Sequence, residues 1–246
     1  MFIQYIPAGS HIKGIRPFLV DKKGKGKEVS RHVIHVISNG KQPLEKVAGT
    51  VRKIHPYIDV FHLREKERTA RELADSVYCL YESGLPPARL SINDRLDVAL
   101  AVQAGYIHLA YHSLPPMLAK RLVHTQKIGV SVHNVEEAVE AERGGADYLL
   151  FGHVFPTNSK PGLPPRGLPA LRHVVKASGI PVIALGGITP ANAAEALATG
   201  CAGIALMSAV MEAGNPELAA KQFRSAIDEA YVKPLHPWFT EENGGR

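Results

Sequence analysis

The chain has 246 residues, 45% of them hydrophobic, which is enough for one large core. Its formal net charge is +6, but residues 1–31 hold Lys13, Arg16, Lys22, Lys23, Lys25, Lys27 and Arg31 against only Asp21 and Glu28, which leaves +1 for all the rest. A nucleic-acid role would therefore rest on that arm alone and is not expected. No apolar run approaches the roughly 20 residues that span a bilayer, and no charged segment leads into an apolar one at the N-terminus, so no membrane contact and a cytoplasmic location are expected. Cys79 and Cys201 stand far apart without metal or redox spacing and read as small packed hydrophobes.

Residues 1–31 have no helical or strand period, and the run from Lys22 to Lys27 favours a disordered basic extension that could be deleted without loss. From His32 a repeating pattern sets in. Strands are expected at Val33–Ile37, Ile58–Leu63, Arg89–Ile92, Tyr106–Leu109, Ile128–Val132, Tyr148–Phe151, Pro181–Leu185 and Gly203–Leu206. Helical stretches alternate with them: Leu44–His55, Thr69–Ser83, Asp94–Gln103 capped by Asn93 or Asp94, a short turn near Pro116–Leu122, Val135–Arg143 capped by Asn134, and Leu168–Ala177. Thr189 is read as the cap of a helix with Pro190 in its first turn, ending at Gly200. Ser208–Met211 and Glu217–Ala230 complete the series, and residues 231–246 read as an irregular tail.

Strands that alternate with helices imply parallel pairing through right-handed crossovers. Eight short, evenly spaced strands imply closure as a (β/α)8 TIM barrel, a single α/β domain over residues 32–230; an open doubly wound sheet is the alternative. In such a barrel the chemistry lies at the C-terminal strand ends. That rule selects Arg64, Glu65 and Lys66 after the second strand, Asn93 and Asp94 after the third, Ser131 and His133 at the fifth. His153, Thr157, Asn158, Ser159 and Lys160 follow the sixth. Gly186-Gly187 and Met207-Ser208 follow the seventh and eighth, where side-chain-free backbone beside a helix start suits a phosphate.

The stretch from Asp147 to Gly167 stands out. An apolar strand ends in Gly152-His153 and runs into a loop with prolines at 156, 161, 164 and 165, glycines at 162 and 167, Lys160 and Arg166. A loop that long in a compact domain is usually functional, and a histidine beneath it can act as a general acid–base or simply cap a buried strand. His35, His62 and His108 lie within strands, where packing inside the barrel is the default. His108 and His112 are four apart but straddle a strand end, so helix-face zinc spacing does not apply. Asp94 is a lone carboxylate, a poor magnesium site, so no metal is expected.

Taken in order, His62-Leu63-Arg64-Glu65-Lys66, Asn93-Asp94-Arg95-Leu96-Asp97, Gly129-Val130-Ser131-Val132-His133, Gly152-His153-Val154-Phe155-Pro156-Thr157-Asn158-Ser159-Lys160, Ile183-Ala184-Leu185-Gly186-Gly187-Ile188 and Leu206-Met207-Ser208 resemble the thiamine phosphate synthase/TenI family over residues 32–230. The resemblance implies one of two activities. The synthase joins a hydroxymethylpyrimidine diphosphate to a thiazole phosphate with magnesium; the tautomerase aromatises a carboxy-dihydrothiazole phosphate. His153 stands where the resemblance places a proline in synthases and the acid–base histidine in tautomerases. Ala110-Tyr111-His112-Ser113 lacks the carboxylate of the synthase segment, while Arg64, Lys66, Asp94 and Lys160 match the synthase pattern.

The expectation on these residues is an isomerase, a thiazole tautomerase with His153 catalytic. A thiazole phosphate would lie against Gly186, Gly187, Met207 and Ser208, with Arg64, Lys66, Ser131, Thr157 and Lys160 as further substrate contacts and no organic cofactor. The synthase and a non-catalytic ligand-binding relative are the alternatives. The sequence leaves open whether identical chains assemble.

Overall fold

A computed structural model describes residues 32–230, 233–236 and 238. The basic extension expected at 1–31 lies outside the described residues, as does most of the tail.

The strands are β1 (Val33–Ile37), β2 (Val60–Leu63), β3 (Leu90–Asn93), β4 (Tyr106–Leu109), β5 (Lys127–Val132), β6 (Tyr148–Gly152), β7 (Val182–Leu185) and β8 (Gly203–Leu206). Each pairs in parallel with the next, and β8 closes on β1 with Ala205 opposite His35, so the eight form a closed barrel. The outer ring is α1 (Leu44–Ile54), α2 (Ala70–Glu82), α3 (Leu96–Ala101), α4 (Pro116–Ala119), α5 (Val135–Arg143), α6 (Gly167–Ala177), α7 (Ala193–Leu197), α8 (Ser208–Met211) and α9 (Pro216–Asp228). The expected fold class holds, and the open-sheet alternative falls on the β1–β8 pairing.

Local chemistry explains most helix starts. Thr69 and Glu72 form a reciprocal capping box at α2, and the Asn134 side chain accepts from Glu137 N at α5. Asn215 does the same at α9, which begins at Pro216 and ends at Asp228, not at Ala230.

Of two further expected caps, one fails and the other closes a turn just ahead of its helix. Asp94 sits in the left-handed region at φ 63°, and a tight turn bonds Arg95 N to Asn93 O. α3 therefore starts at Leu96 with Arg95 at the cap position and no side-chain bond. Thr189 and Asn192 bond each other's backbone N–H, at 3.3 and 2.8 Å, and Ala193 N donates to Thr189 O, so Thr189 closes a capped turn that leads into a short α7 running from Ala193 only to Leu197. β2 also starts two residues late, because the Asp59 carboxylate takes the Ile34 N–H at 2.7 Å and binds Arg224 as well.

Strand alternation divides the core in two. Ile34, Val36, Phe61 and Leu63 point outward under the helices. Val33, Ile37, Val60, Leu150 and Ile183 point inward. The interior also carries polar side chains: His35, His62, Ser91 and His108 are all at most 2% exposed. The largest interior group is Tyr148, whose ring fills the space beside Gly129, where a Cβ would lie 2.1 Å from its Cζ. A large residue on one strand thus requires a small one on its neighbour.

The tail, left without a role by the sequence, takes one here. Leu235 N donates to Gly200 O at 2.9 Å, and the Trp238 ring packs on His35 and Tyr148 and stacks on Tyr106 at 5.8 Å between centroids. Tyr106 opens β4, so Trp238 closes the N-terminal mouth of the barrel, opposite the expected site.

Candidate active site at the C-terminal strand ends

The closed barrel brings Arg64, Lys66, Ser131, His153, Thr157, Lys160, Gly186, Gly187, Met207 and Ser208 to one end, since all follow or finish parallel strands. Their depths differ. His153 is buried, Arg64, Ser131, Thr157, Gly186, Gly187, Met207 and Ser208 are half-buried, and Lys66 and Lys160 are exposed on the rim. The cations at the rim keep their solvation, so on their own they bind weakly and need a multivalent anion to hold them together.

The loop after β6 is fastened at both ends. Val154 N and Phe155 N donate to Leu185 O and Gly186 O at 2.9 and 3.0 Å. Arg166 N and Gly167 N return to His153 O and Val154 O, and Arg166 Nε reaches Gly152 O at 3.1 Å. The His153 ring lies inside this fold, 5% exposed, with Nε2 at 3.2 Å from Leu163 O. An acceptor carbonyl there makes Nε2 the protonated nitrogen, so the ring ties the loop to β6.

Gly186 and Gly187 both have positive φ, 98° and 66°. Gly186 lies against His153, and a Cβ on Gly187 would come within 2.4 Å of Pro156 O. These glycines therefore let the turn after β7 pack against the loop after β6, besides leaving backbone near any anion. The first N–H groups of α8, at Ser208 and Ala209, have no carbonyl within the helix to reach.

After β3 and β4, Asp94 accepts from the Ser113 hydroxyl, and its other oxygen lies 3.3 Å from His112 Nε2. The carboxylate is thus occupied in fixing the β4–α4 loop. Among the described residues no three His, Cys, Asp or Glu side chains group together as metal ligands. Nor is any helix among them long and apolar enough to cross a membrane.

The barrel interior reaches this end through His108, whose Nε2 lies 2.8 Å from Ser131 Oγ. Behind it, the His62 ring sits 5.4 Å from that of His108, and His62 Nε2 shares a 2.9 Å hydrogen bond with His35 Nδ1. Burial lowers all three ring pKa values. It takes His62 to about 3, while neighbouring His62 and Arg64 add to the effect on His108. The link between His108 and Ser131 escaped the sequence reading. The available signal was parity: His108 is two residues from Tyr106 on the inward face of β4, and Ser131 holds the same parity on β5.

The family model described as thiamine monophosphate synthase matches residues 34–210. The chain belongs to the thiamine phosphate synthase/TenI family. A thiamine-phosphate synthase of Chloroflexus aurantiacus is 40% identical over 181 residues, 72% of this chain and 82% of that one. That of Moorella thermoacetica is 39% identical over 200 residues, 80% and 94% of the two chains. The solved thiamine phosphate pyrophosphorylase of Pyrococcus furiosus superposes with a TM-score of 0.70 at 35% identity, covering 82% of this chain and 98% of that one.

Membership of the thiamine phosphate synthase/TenI family was expected; the branch within it was not. The tautomerase reading is overturned, because relatives at about 40% identity along most of their length are named synthases. With it goes the isomerase class, and with that the reaction for which His153 was to carry a proton. A single histidine at a strand end was given too much weight against identity spread over the whole barrel. The chain is an enzyme of thiamine biosynthesis by family, acting on a small molecule.

Proposed function

We propose that this chain is a transferase that couples a pyrimidinylmethyl diphosphate to a thiazole phosphate, releasing inorganic pyrophosphate. The observation that carries the reading is the identity of about 40% to named thiamine-phosphate synthases over nearly the whole barrel. In the reaction the bond from the methylene carbon to the diphosphate oxygen breaks, and a bond from that carbon to the thiazole nitrogen forms. Negative charge grows on the departing diphosphate, so the site must supply fixed positive charge there.

Arg64, Lys66 and Lys160 are assigned to that charge, Arg64 by its planar bidentate fork and the lysines from the rim. The backbone of Gly186, Gly187, Met207 and Ser208 is assigned to the thiazole phosphate, and Ser131 and Thr157 to hydroxyl contacts. His153 holds the loop after β6 over the reactants through Leu163 O. A magnesium ion anchored by two carboxylates does not fit these residues, because Ser113 stands beside Asp94 and uses its carboxylate.

The test is to incubate purified protein with both substrates and a divalent cation and to measure thiamine phosphate and pyrophosphate. Equimolar products support the reading. Neither product, with an active relative as control in the same assay, overturns it. Arg64→Ala should lower kcat/KM by roughly 10²-fold, as loss of one fixed charge-stabilising donor typically does. Ser113→Asp should give tighter magnesium binding by calorimetry, because it restores a second carboxylate beside Asp94.

A further inference from the structure

The fold buries a histidine whose ring makes, among the described residues, one hydrogen bond, to a residue of the candidate site. His108 is 2% exposed; its Nε2 meets Ser131 Oγ at 2.8 Å, and its Nδ1 is buried with no protein partner. The ring is walled by His62 and Tyr148, with centroids at 5.4 and 5.9 Å.

Two neutral tautomers compete for this position. With the proton on Nδ1, a buried N–H would point at nothing, and Ser131 would have to donate its own proton inward to Nε2. With the proton on Nε2, only a lone pair is left unsatisfied at Nδ1. An orphaned buried N–H is the rarer and costlier outcome. Burial, neighbouring His62 and the positive charge of Arg64 all lower the ring pKa and so disfavour the imidazolium. The proton therefore sits on Nε2, His108 donates, and Ser131 Oγ accepts.

We propose that His108 is a positioning residue that fixes the polarity of Ser131. Its one donor occupies a lone pair of the hydroxyl and turns the Ser131 O–H outward into the site as a donor for an anionic oxygen. A hydroxyl that already accepts a hydrogen bond also donates more strongly. Ser131 is half-buried at the end of β5, and its hydroxyl has no other hydrogen bond among the described residues, so that proton is available to a ligand. The ligand class is a phosphate or diphosphate oxygen. The inference rests on the reading of this end as an anion site and goes beyond it by naming the group that orients its hydroxyl donor.

Two measurements test it. The first uses the ligand-free protein with nitrogen-15 histidine, the His108 signals being assigned by their loss in His108→Gln. The expected pattern is a protonated Nε2 and a bare Nδ1, unchanged between pH 5.5 and 8. A proton on Nδ1, or titration to the imidazolium in that range, overturns the proposal, and this result does not depend on any activity.

The second is a double-mutant cycle read by binding of inorganic pyrophosphate. His108→Leu should weaken binding about 3–10-fold, the size of one hydrogen bond. His108→Gln should recover most of the loss, because its amide N–H reaches the Nε2 position. In a Ser131→Ala background His108→Leu should cost less than about 2-fold, because the hydroxyl it acts through is gone. Fully additive losses, or no pyrophosphate binding by the wild type, overturn it. If the coupling assay fails while the tautomer and the cycle come out as stated, the functional reading falls and the role of His108 stands.

Discussion

The barrel is expected to lose stability steeply as the pH falls from 6.5 to 5. His35, His62 and His108 are buried and neutral in the folded state, with pKa values lowered first of all by desolvation. In the unfolded chain each returns to a value near about 6.5. Below that pH the unfolded state binds protons that the folded state refuses, so stability rises with pH across this window. It is fully present above the unfolded pKa and drains away toward the depressed folded values. Each histidine contributes up to about 1.4 kcal/mol per pH unit, so the three together give a slope of up to about 4 kcal/mol per unit. A slope of that size removes a large share of the total stability of an ordinary domain, about 5–15 kcal/mol. Denaturant midpoints at intervals between pH 7.5 and 5 measure it. His62→Gln removes one of the three protons and should flatten the acid slope by about a third, whatever it does to stability at pH 7.5. A flat profile down to pH 5 in the wild type would contradict neutral burial of these rings.

Gly187→Val is expected to disable the site and weaken the fold together. The position needs φ 66°, and a Cβ there would lie 2.4 Å from Pro156 O and 2.6 Å from Phe155 O. A β-branched residue pays in conformation, about 1–3 kcal/mol for the left-handed region, and the backbone carbonyls in its way have no flexible end to yield. The loop after β6 must move, and with it Thr157 and Lys160. Activity should fall at least about 10²-fold, since a displacement of an ångström suffices for that. Stability should fall by roughly 2–4 kcal/mol, at the large end for a single change. Gly162→Ala is the control. It has φ 78° but nothing within 4 Å of a Cβ, so it should cost only the conformational part, on the order of 1 kcal/mol, with turnover nearly kept. Equal effects of the two substitutions would show that the contact with Phe155 and Pro156 carries no weight. The sequence alone suggested a simpler role for Gly187, room for a phosphate; the structure adds the packing of two loops.

The elements differ in how far they could be read. β1, β4, β8, α5 and α8 have the expected bounds, because apolar runs, the Asn134 cap and turn residues bracket them locally. α3 and α7 do not, because Asp94, Thr189 and Asn192 spend their side chains on turns and loops. Strand-end placement gathered the candidate residues from the barrel rule alone. It could not tell that Lys66 and Lys160 stay on the rim while His153 is buried under Leu163.

The sequence by itself determined the eight alternating units, the end of the barrel that holds the candidate site, and the family. Each of these follows from period, turn chemistry or motif order, which are local. Tertiary structure decided which groups meet across strands. Gly129 is small because Tyr148 on the next strand fills its space. Trp238, far along the chain from His35 and Tyr106, closes the opposite mouth of the barrel. His108 and Ser131, 23 residues apart, share a hydrogen bond because parallel registry sets the ends of β4 and β5 side by side. Contacts of that kind depend on strand order and register, which no stretch of the sequence carries alone.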